Sequence, residues 1–469
     1  MSDLKIVVIG AGPAGMGCAH TLAAAGKRCL VLDKNDTPGG ICRTLNYNGY
    51  LFDIGGHRFL TKSKEIRSLW QEVMKDDFMK VKRMSRIYYN KRFFNYPLTF
   101  SDIIRKLGIV ESLLCFASYL WRKAFPCSGR DSFEQWIINN FGDRLYKAFF
   151  ETYTEKVWAV PCRDISADWA QQRIRGLSLR VAIKNVLFKN KKGAPKTLTE
   201  EFYYPRTGPG EFYGRLKSHI CAKGSDVVFD KRVCKVRHNG SRVSAVSVVN
   251  ELDGSREDID VGYLFSSMPL PQLIRSLDPL PPAEVLDAAN GLKFRDFMTV
   301  NVIMDIERIF SDQWLYIQDP GVRMGRIQNY KNWSPAMVLD PKKSSLGLEY
   351  FCNKEGPLYS MNNVDLVDFA LSELEKLGIA KREDYISGFV VRQEDAYPFY
   401  SIDYEKHVSV LREYLAGFKN LQTMGRSGLF RYDNSDHALL TGIYAARNLL
   451  GQGTHNLWTL YRNEEYLES

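Results

Sequence analysis

The sequence predicts an α/β protein: a doubly wound, Rossmann-type dinucleotide-binding domain with helical and antiparallel-sheet substrate domains inserted into it. Three observations carry this prediction. A β-branched run at residues 6–9 breaks at Gly10 and passes into a helical stretch of small residues, 14–25. A second strand pattern, 28–33, follows and ends on the carboxylate of Asp33. Gly10, Gly12 and Gly15 place the GxGxxG spacing between strand and helix, the order of a βαβ unit.

Each glycine has a separate physical task. The first permits the tight turn, the second lets backbone amides approach a pyrophosphate, and the third allows the helix to pack closely on the strand. The helix N-terminus then turns its partial positive charge toward the phosphates. Asp33, at the end of the second strand, is placed to accept a hydrogen bond from a ribose hydroxyl. Thr37, Pro38, Gly39, Gly40 and then Arg43 form a second glycine-rich loop. It resembles the segment that follows the βαβ unit in the amine oxidase, protoporphyrinogen oxidase and UDP-galactopyranose mutase families. Such a loop extends phosphate and ribityl contacts beyond what NAD needs, so the expected cofactor is FAD.

Further along, residues 99–189 carry helical periods, with Ser132 as an N-cap and an aromatic-rich helix over 136–150. Strand-like alternation returns at 225–249, where two strands flank a turn at 238–241. A buried strand is expected at 264–268, just before Pro269, and another sheet region opens at 297–304. The chain then gives a short strand at 421–424, Gly425, and a final helix at 438–450. The expected division is a discontinuous FAD-binding domain (1–85, 215–275 and 415–469), a mainly helical insert (86–214) and an antiparallel-sheet substrate domain (276–414).

Composition narrows the function. A chain of 469 residues exceeds what one core organises, which leaves room for a large cofactor. The 13% aromatic share suits a site where flat rings stack. The net charge of +10 is spread along the sequence with no nucleic-acid reading module, so a local anion site is expected and nucleic acid is not. Nine cysteines with no CxxC pair, no regular spacing and no metal-ligand pattern with histidine read as reduced thiols of a cytoplasmic protein, with no metal centre. The longest apolar tract, 108–121, is interrupted by Glu111 and falls short of the roughly 20 residues of a membrane span. Met1 leads through a polar start straight into the first strand, so no signal peptide is expected.

The remaining motifs are more specific. Gly55, Gly56 and His57, the run SRIYYNKRFFNYPLTF at 85–100, SFEQWIINNFG, YTEKVWAVP at 153–161 and DWAQQR ending at Arg173 follow one another in order. The carboxyl half adds GRIQNYKNWSP at 325–335, AYP at 396–398 and FRYDNSDHAL at 430–439. Together they resemble the UDP-galactopyranose mutases over most of the chain. The resemblance implies a mutase that interconverts pyranose and furanose forms of a nucleotide sugar without net redox. In that family N5 of the reduced flavin attacks the anomeric carbon, forms a covalent sugar adduct and displaces the nucleoside diphosphate. An external reductant such as NAD(P)H would keep the flavin reduced, and the resemblance also implies a place in cell-surface polysaccharide synthesis.

Residue by residue, the resemblance implies that His57, behind Gly56, lies beside N5, and that Arg173 and Arg326 clamp the diphosphate with planar guanidinium forks. Tyr397 and Tyr432 match phosphate-binding tyrosines. Tyr96 and Trp158 match residues of the base pocket, Tyr316 and Trp333 would line the sugar side, and Arg426 with Asp436 would approach the ribityl and pyrophosphate groups. The match departs where Leu98 and Thr99 follow Pro97, where Thr154 replaces an asparagine, and where Thr199, Glu200 and Glu201 precede Tyr203 and Tyr204. Diphosphate and flavin chemistry therefore carry over better than uracil or galactose, leaving UDP-galactose or another nucleotide sugar, such as a deoxythymidine-linked one, as substrate. Two other functions share the cofactor domain: an FAD-dependent oxidase or dehydrogenase of the amine or protoporphyrinogen oxidase type, and a non-catalytic flavin-dependent binding protein.

Overall fold

A computed structural model describes residues 5–96, 100–128, 131–174 and 201–460, and its architecture is α/β. Ile6–Ile9 is a run of four buried apolar residues with no polar alternation, the signature of a strand covered on both faces. It occupies the centre of a five-stranded sheet in the order Leu421–Thr423, Tyr263–Ser266, Ile6–Ile9, Cys29–Leu32, Asp226–Val228. Every neighbouring pair is parallel. The sheet therefore gathers strands from chain segments hundreds of residues apart. Helix Pro13–Ala24 follows the first strand and packs against the last helix, Ser435–Leu449. A Cβ on Gly442 would overlap the Ala14 carbonyl, and one on Gly17 would lie 2.7 Å from the Leu439 carbonyl oxygen, so these two glycines set how close the helices come.

A seven-stranded sheet forms the opposite half, in the order Tyr385–Phe399, Lys293–Met304, Ser344–Cys352, Arg326–Asn329, Trp314–Ile317, Ser85–Tyr89, Arg92–Asn95. Its pairs are antiparallel except Trp314–Ile317 with Ser85–Tyr89, which brings a hairpin from the amino-terminal fifth of the chain onto the sheet edge. Ser344–Cys352 is buried along all nine residues. The region 225–249 yields three strands where two are expected: Lys231–His238 and Val243–Asn250 form the antiparallel pair, and Asp226–Val228 joins the parallel sheet.

The helical region contains Phe100–Leu107, Ile109–Ala124, Phe133–Phe141, Asp143–Tyr146, Thr152–Trp158 and Ala167–Ile174. Ser132 caps its helix, its hydroxyl accepting from the Gln135 amide at 3.3 Å. The single helix expected over 136–150 is broken. At Gly142 φ is +85°, and a Cβ there would stand 2.7 Å from the Tyr119 backbone nitrogen, so the chain turns and resumes as a short helix followed by a π turn at Lys147–Glu151. Among the described residues no helix is long and apolar enough to cross a membrane, and no cluster of His, Cys, Asp or Glu could hold a metal ion.

Candidate functional site

A cavity of about 760 Å³ runs from the glycine turn of the parallel sheet to the face of the seven-stranded sheet. That volume lies in the upper half of the ~300–1,000 Å³ usual for a small-molecule site. At its first end Gly10, at φ +95°, turns the chain beneath Ser267, and a Cβ on Gly15 would overlap the Gly10 carbonyl. Gly40, at φ +57°, faces Gly12 so closely that a Cβ would come within 3.1 Å of the Gly12 Cα. The two glycine loops thus leave bare backbone where a phosphate pair can approach. Asp33 is buried on the wall, where Oδ2 accepts from the Ala11 amide at 2.6 Å and Oδ1 from the Asn35 amide at 2.8 Å. A carboxylate has acceptor capacity beyond these bonds, so it can also take a ribose hydroxyl.

Buried cations line the same end. Arg43 places only Nη2 near an acceptor, Gln393 Oε1 at 3.4 Å; its Nε and Nη1 have no partner. Burial lowers its pKa, with Asp33 and Asp36 opposing. Arg426 lies over the rings of Tyr397 and Tyr432, at 4.7 and 4.5 Å from their centroids, and its Nε and Nη2 have no partner either. Buried donors left unsatisfied are rare and costly, so two guanidinium groups in this state fit a bound anion. With the glycine cradle, they fit the pyrophosphate of a dinucleotide.

At the other end Arg326 forms a buried ion pair with Glu349 and donates to the Tyr397 hydroxyl at 3.3 Å. Burial works against the Arg326 charge, but Glu349, and then Tyr153 and Tyr397, hold its pKa well above the ordinary arginine value. Glu349 also accepts from Gln328 Nε2 at 2.6 Å. Both partners press on the GGH segment: a Cβ on Gly55, at φ +86°, would stand 3.4 Å from Glu349 Oε1, and one on Gly56 2.9 Å from Gln328 Nε2. These glycines let the backbone lie flat against the acid and the amide, with His57 next in line. Burial, then the charges of Arg426 and Arg326, push the imidazole down to about 3, so it is neutral at physiological pH. Burial also pushes Tyr397 up to about 12, Arg326 opposing.

Of the residues named from sequence, Gly10, Gly12, Asp33, Gly40, Arg43, Gly56 and His57 reach the cavity wall. So do Tyr96, Tyr316, Arg326, Trp333, Tyr397, Arg426 and Tyr432. Tyr96 and Tyr316 lean on each other at 4.8 Å, whereas Trp333 is buried against Trp314 and donates its indole N–H to the Gln313 carbonyl at 3.0 Å. Gly15 and Gly39 lie behind the wall. Trp158 does too, packed edge-on against Trp169 at 5.6 Å and Tyr432 at 6.0 Å, because its helix turns that face inward. Asp436 is buried beside His437, 3.0 Å away, off the wall. Arg173 belongs to helix Ala167–Ile174, but its side chain lies outside the described residues, as do Leu98, Thr99, Thr199 and Glu200. Glu349 and Gln328 are not among the residues expected from sequence, although Gln328 lies within the 325–335 motif. The signal was present for one of them, since Glu349 is an acid inside the otherwise apolar or small run SSLGLEYFC.

The family described as an NAD(P)-binding Rossmann-like domain matches residues 8–73. The chain is superimposable on a solved reduced UDP-galactopyranose mutase with a TM-score of 0.84, at 22% identity, over 99% of this chain and 97% of that one. The two share one fold. In sequence, the chain is 41% identical to the all-trans-retinol 13,14-reductase of Danio rerio, over 14% of this chain and 11% of the reductase. It is 32% identical to the putrescine oxidase of Kocuria rosea, over 18% of each. The chain thus spans less than a fifth of the length of these curated relatives. What they share with it is short, as expected when only a dinucleotide-binding segment is held in common.

Proposed function

We propose that this protein is a flavin-dependent nucleotide-sugar mutase that interconverts pyranose and furanose forms. The parallel sheet and the glycine loops form its FAD domain, and the seven-stranded sheet with the helical insert forms its substrate side. One observation carries the reading: Arg326 is held by Glu349 and Tyr397 on the cavity wall, beside a neutral His57, within the cavity that begins at the dinucleotide cradle. A departing diphosphate gathers negative charge, and a guanidinium fixed in advance stabilises that charge without reorganising. An apolar substrate that donates hydride calls for no such group.

Arg43, Arg426 and the backbone at Gly10, Gly12 and Gly40 would hold the FAD pyrophosphate, and Asp33 its ribose. When bound and reduced, the flavin supplies the nucleophilic ring nitrogen. The chain's own residues do the rest. Arg326 and Arg173 bind the diphosphate and meet the charge it gains as the glycosidic bond breaks. Tyr397 and Tyr432 donate their hydroxyls to phosphate oxygens. Neutral His57, behind Gly55 and Gly56, accepts or donates one hydrogen bond at the flavin edge without adding charge. Tyr96 and Tyr316 enclose the base and sugar, and aromatic walls exclude water.

The test is anaerobic, dithionite-reduced protein incubated with UDP-galactofuranose and a panel of other nucleotide furanoses. Pyranose product separated by chromatography is the expected result. A second reading, an FAD-dependent oxidase or dehydrogenase, draws on the short sequence matches to a retinol reductase and a putrescine oxidase. If the whole panel is returned unchanged while an amine or apolar hydride donor bleaches the oxidised flavin, the mutase reading fails and the second replaces it.

A further inference from the structure

Helix Ile109–Ala124 is built the wrong way round for a helix of a water-soluble domain. Its inward face, packed on helices Phe133–Phe141 and Asp143–Tyr146, is small and polar. Ser112, Cys115 and Tyr119 are buried there, and Glu111 and Arg122 are fixed by ion pairs with Arg144 at 2.8 Å and Asp143 at 2.7 Å. Its outward face is apolar: Ile109, Val110, Leu113, Leu114, Leu120 and Trp121 are exposed by 43–73% of their surface, and Phe125 just beyond by 57%. At ~100° per residue these positions sweep roughly half the circumference. Scattered exposed apolar residues need no explanation, but a continuous stripe of this width, with its polar face spent on the protein, marks a surface that is covered in use.

Charge decides what covers it. Residues 91–128 contain six Lys and Arg against two carboxylates, a net +4 out of +10 for the whole chain. The cations lie at both ends of the stripe. Arg92 and Arg105 gather before Ile109, where Arg92 donates to the Lys106 carbonyl, and Lys123 closes the other end. Both carboxylates are already paired, Asp102 with Lys106 at 2.6 Å and Glu111 with Arg144. A second copy docked through this face would bring cations against cations in either a parallel or an antiparallel pairing, since both ends have the same sign. An anionic lipid surface meets the cations and the apolar stripe at once. Lysine and arginine reach the headgroups while leucine, phenylalanine and tryptophan enter the acyl boundary.

We propose that helix Ile109–Ala124 lies in the headgroup layer of an anionic membrane, apolar face down, and holds the protein there as a peripheral membrane protein. The helix lies on the bilayer and does not span it, in keeping with its 16 residues. The proposal is independent of which reaction the cavity supports.

The experiment is co-sedimentation of the full-length protein with vesicles of phosphatidylglycerol mixed into phosphatidylcholine, and with phosphatidylcholine alone. Binding to the mixed vesicles, weakened by salt, is the expected result. Leu113→Ser with Trp121→Ser should lower the partition coefficient about tenfold or more. Because both side chains are exposed, the thermal midpoint should not move. The pair Arg105→Glu and Lys123→Glu should reduce binding to the mixed vesicles toward the level seen with phosphatidylcholine, which keeps the test open if the first pair folds poorly. Protein that stays in the supernatant with both vesicles overturns the proposal, as does binding that neither pair alters. So does a parent that sediments as a dimer, ignores vesicles and becomes monomeric in the Leu113/Trp121 variant, which would assign the face to a second copy.

Discussion

The two ends of the cavity hold buried arginine in opposite ways. At the dinucleotide end Arg43, and next to it Arg426, which reaches over the Tyr397 and Tyr432 rings, keep guanidinium N–H groups without partners. At the other end, Arg326 is matched by Glu349 and Tyr397, and Glu349 in turn by Gln328. A buried cation with idle donors destabilises the fold until an anion arrives, whereas a matched pair is already neutral. The first arrangement suits a ligand that binds once and remains, since its binding also completes the fold. The second suits a ligand that must enter and leave many times, since the site is equally formed before and after. On the proposed function, the cations satisfied beforehand are the ones that meet the transient substrate, and the unsatisfied ones meet the resident cofactor.

The largest expected effect removes the first end altogether. In Gly15→Ala the new methyl group must displace the Gly10 carbonyl and with it the turn of the cradle. Protein purified from this variant should carry no flavin absorbance, and stoichiometric flavin would show that the cradle is not where the dinucleotide binds. Next is the matched pair. Arg326→Ala leaves Glu349 buried without its counter-ion, so it should lose about 3–5 kcal/mol of stability as well as ~10²–10³-fold in turnover. Arg326→Met combined with Glu349→Leu should recover most of the stability in denaturant titration and none of the turnover. If the double variant is as unstable as the single one, the pair is not compensated as described.

Arg426 supplies a smaller contrast. Because two of its nitrogens have no protein partner, Arg426→Met should leave the cofactor-free protein as stable as the parent or slightly more so. Flavin affinity should fall about 10- to 100-fold, the loss of one charge-assisted hydrogen bond at ~1.5–3 kcal/mol. Isothermal titration of the apoprotein with FAD separates the two effects. A variant that destabilises the apoprotein by as much as Arg326→Ala does would erase the distinction between the two ends.

The same contrast governs what the sequence disclosed. The cradle is local: strand, turn, helix and strand fall within 33 residues, its glycines are required by backbone contacts, and its pattern follows from chain geometry alone. The wall at the other end is assembled from strands that are far apart in sequence, with Ser85–Tyr89 paired to Trp314–Ile317 and Arg326–Asn329 to Ser344–Cys352. Arg326, Tyr397 and Tyr432 are legible only through surrounding motifs that resemble those of a known family. Glu349 has no local motif, Gln328 sits in the Arg326 motif with no role of its own there, and only the sheet register, which sets Arg326 opposite Glu349, brings the three together. Trp158 shows the reverse limit, because a motif can mark a residue as important without telling whether its ring faces the cavity or supports the residues that do. The break at Gly142 depended on Tyr119 of another helix, which no periodicity within 136–150 contains.

The smallest effect concerns two titratable groups that flank Gly55–Gly56. Burial pushes the Asp53 carboxyl up to about 7, with the Tyr204 and Thr44 hydroxyls opposing, while burial and then Arg426 and Arg326 push His57 down to about 3. The signs differ. A carboxyl raised above its unfolded value of about 3.9 contributes its full stability below that pH and loses it as pH rises through about 7. An imidazole lowered from 6.5 contributes fully above 6.5 and loses its contribution as pH falls toward about 3. Between about 4 and 6.5 the folded protein therefore holds one proton on Asp53 that the unfolded chain lacks, and lacks one on His57 that the unfolded chain holds, so the two slopes cancel. Asp53→Asn should unmask the histidine, giving a stability that rises with pH relative to the parent by up to ~1.4 kcal/mol per unit. His57→Gln should unmask the carboxyl and give the opposite slope. Urea titrations of the parent and both variants across this range measure the differences directly, and variants whose pH profiles run parallel to the parent would mean that neither group is held in its neutral form.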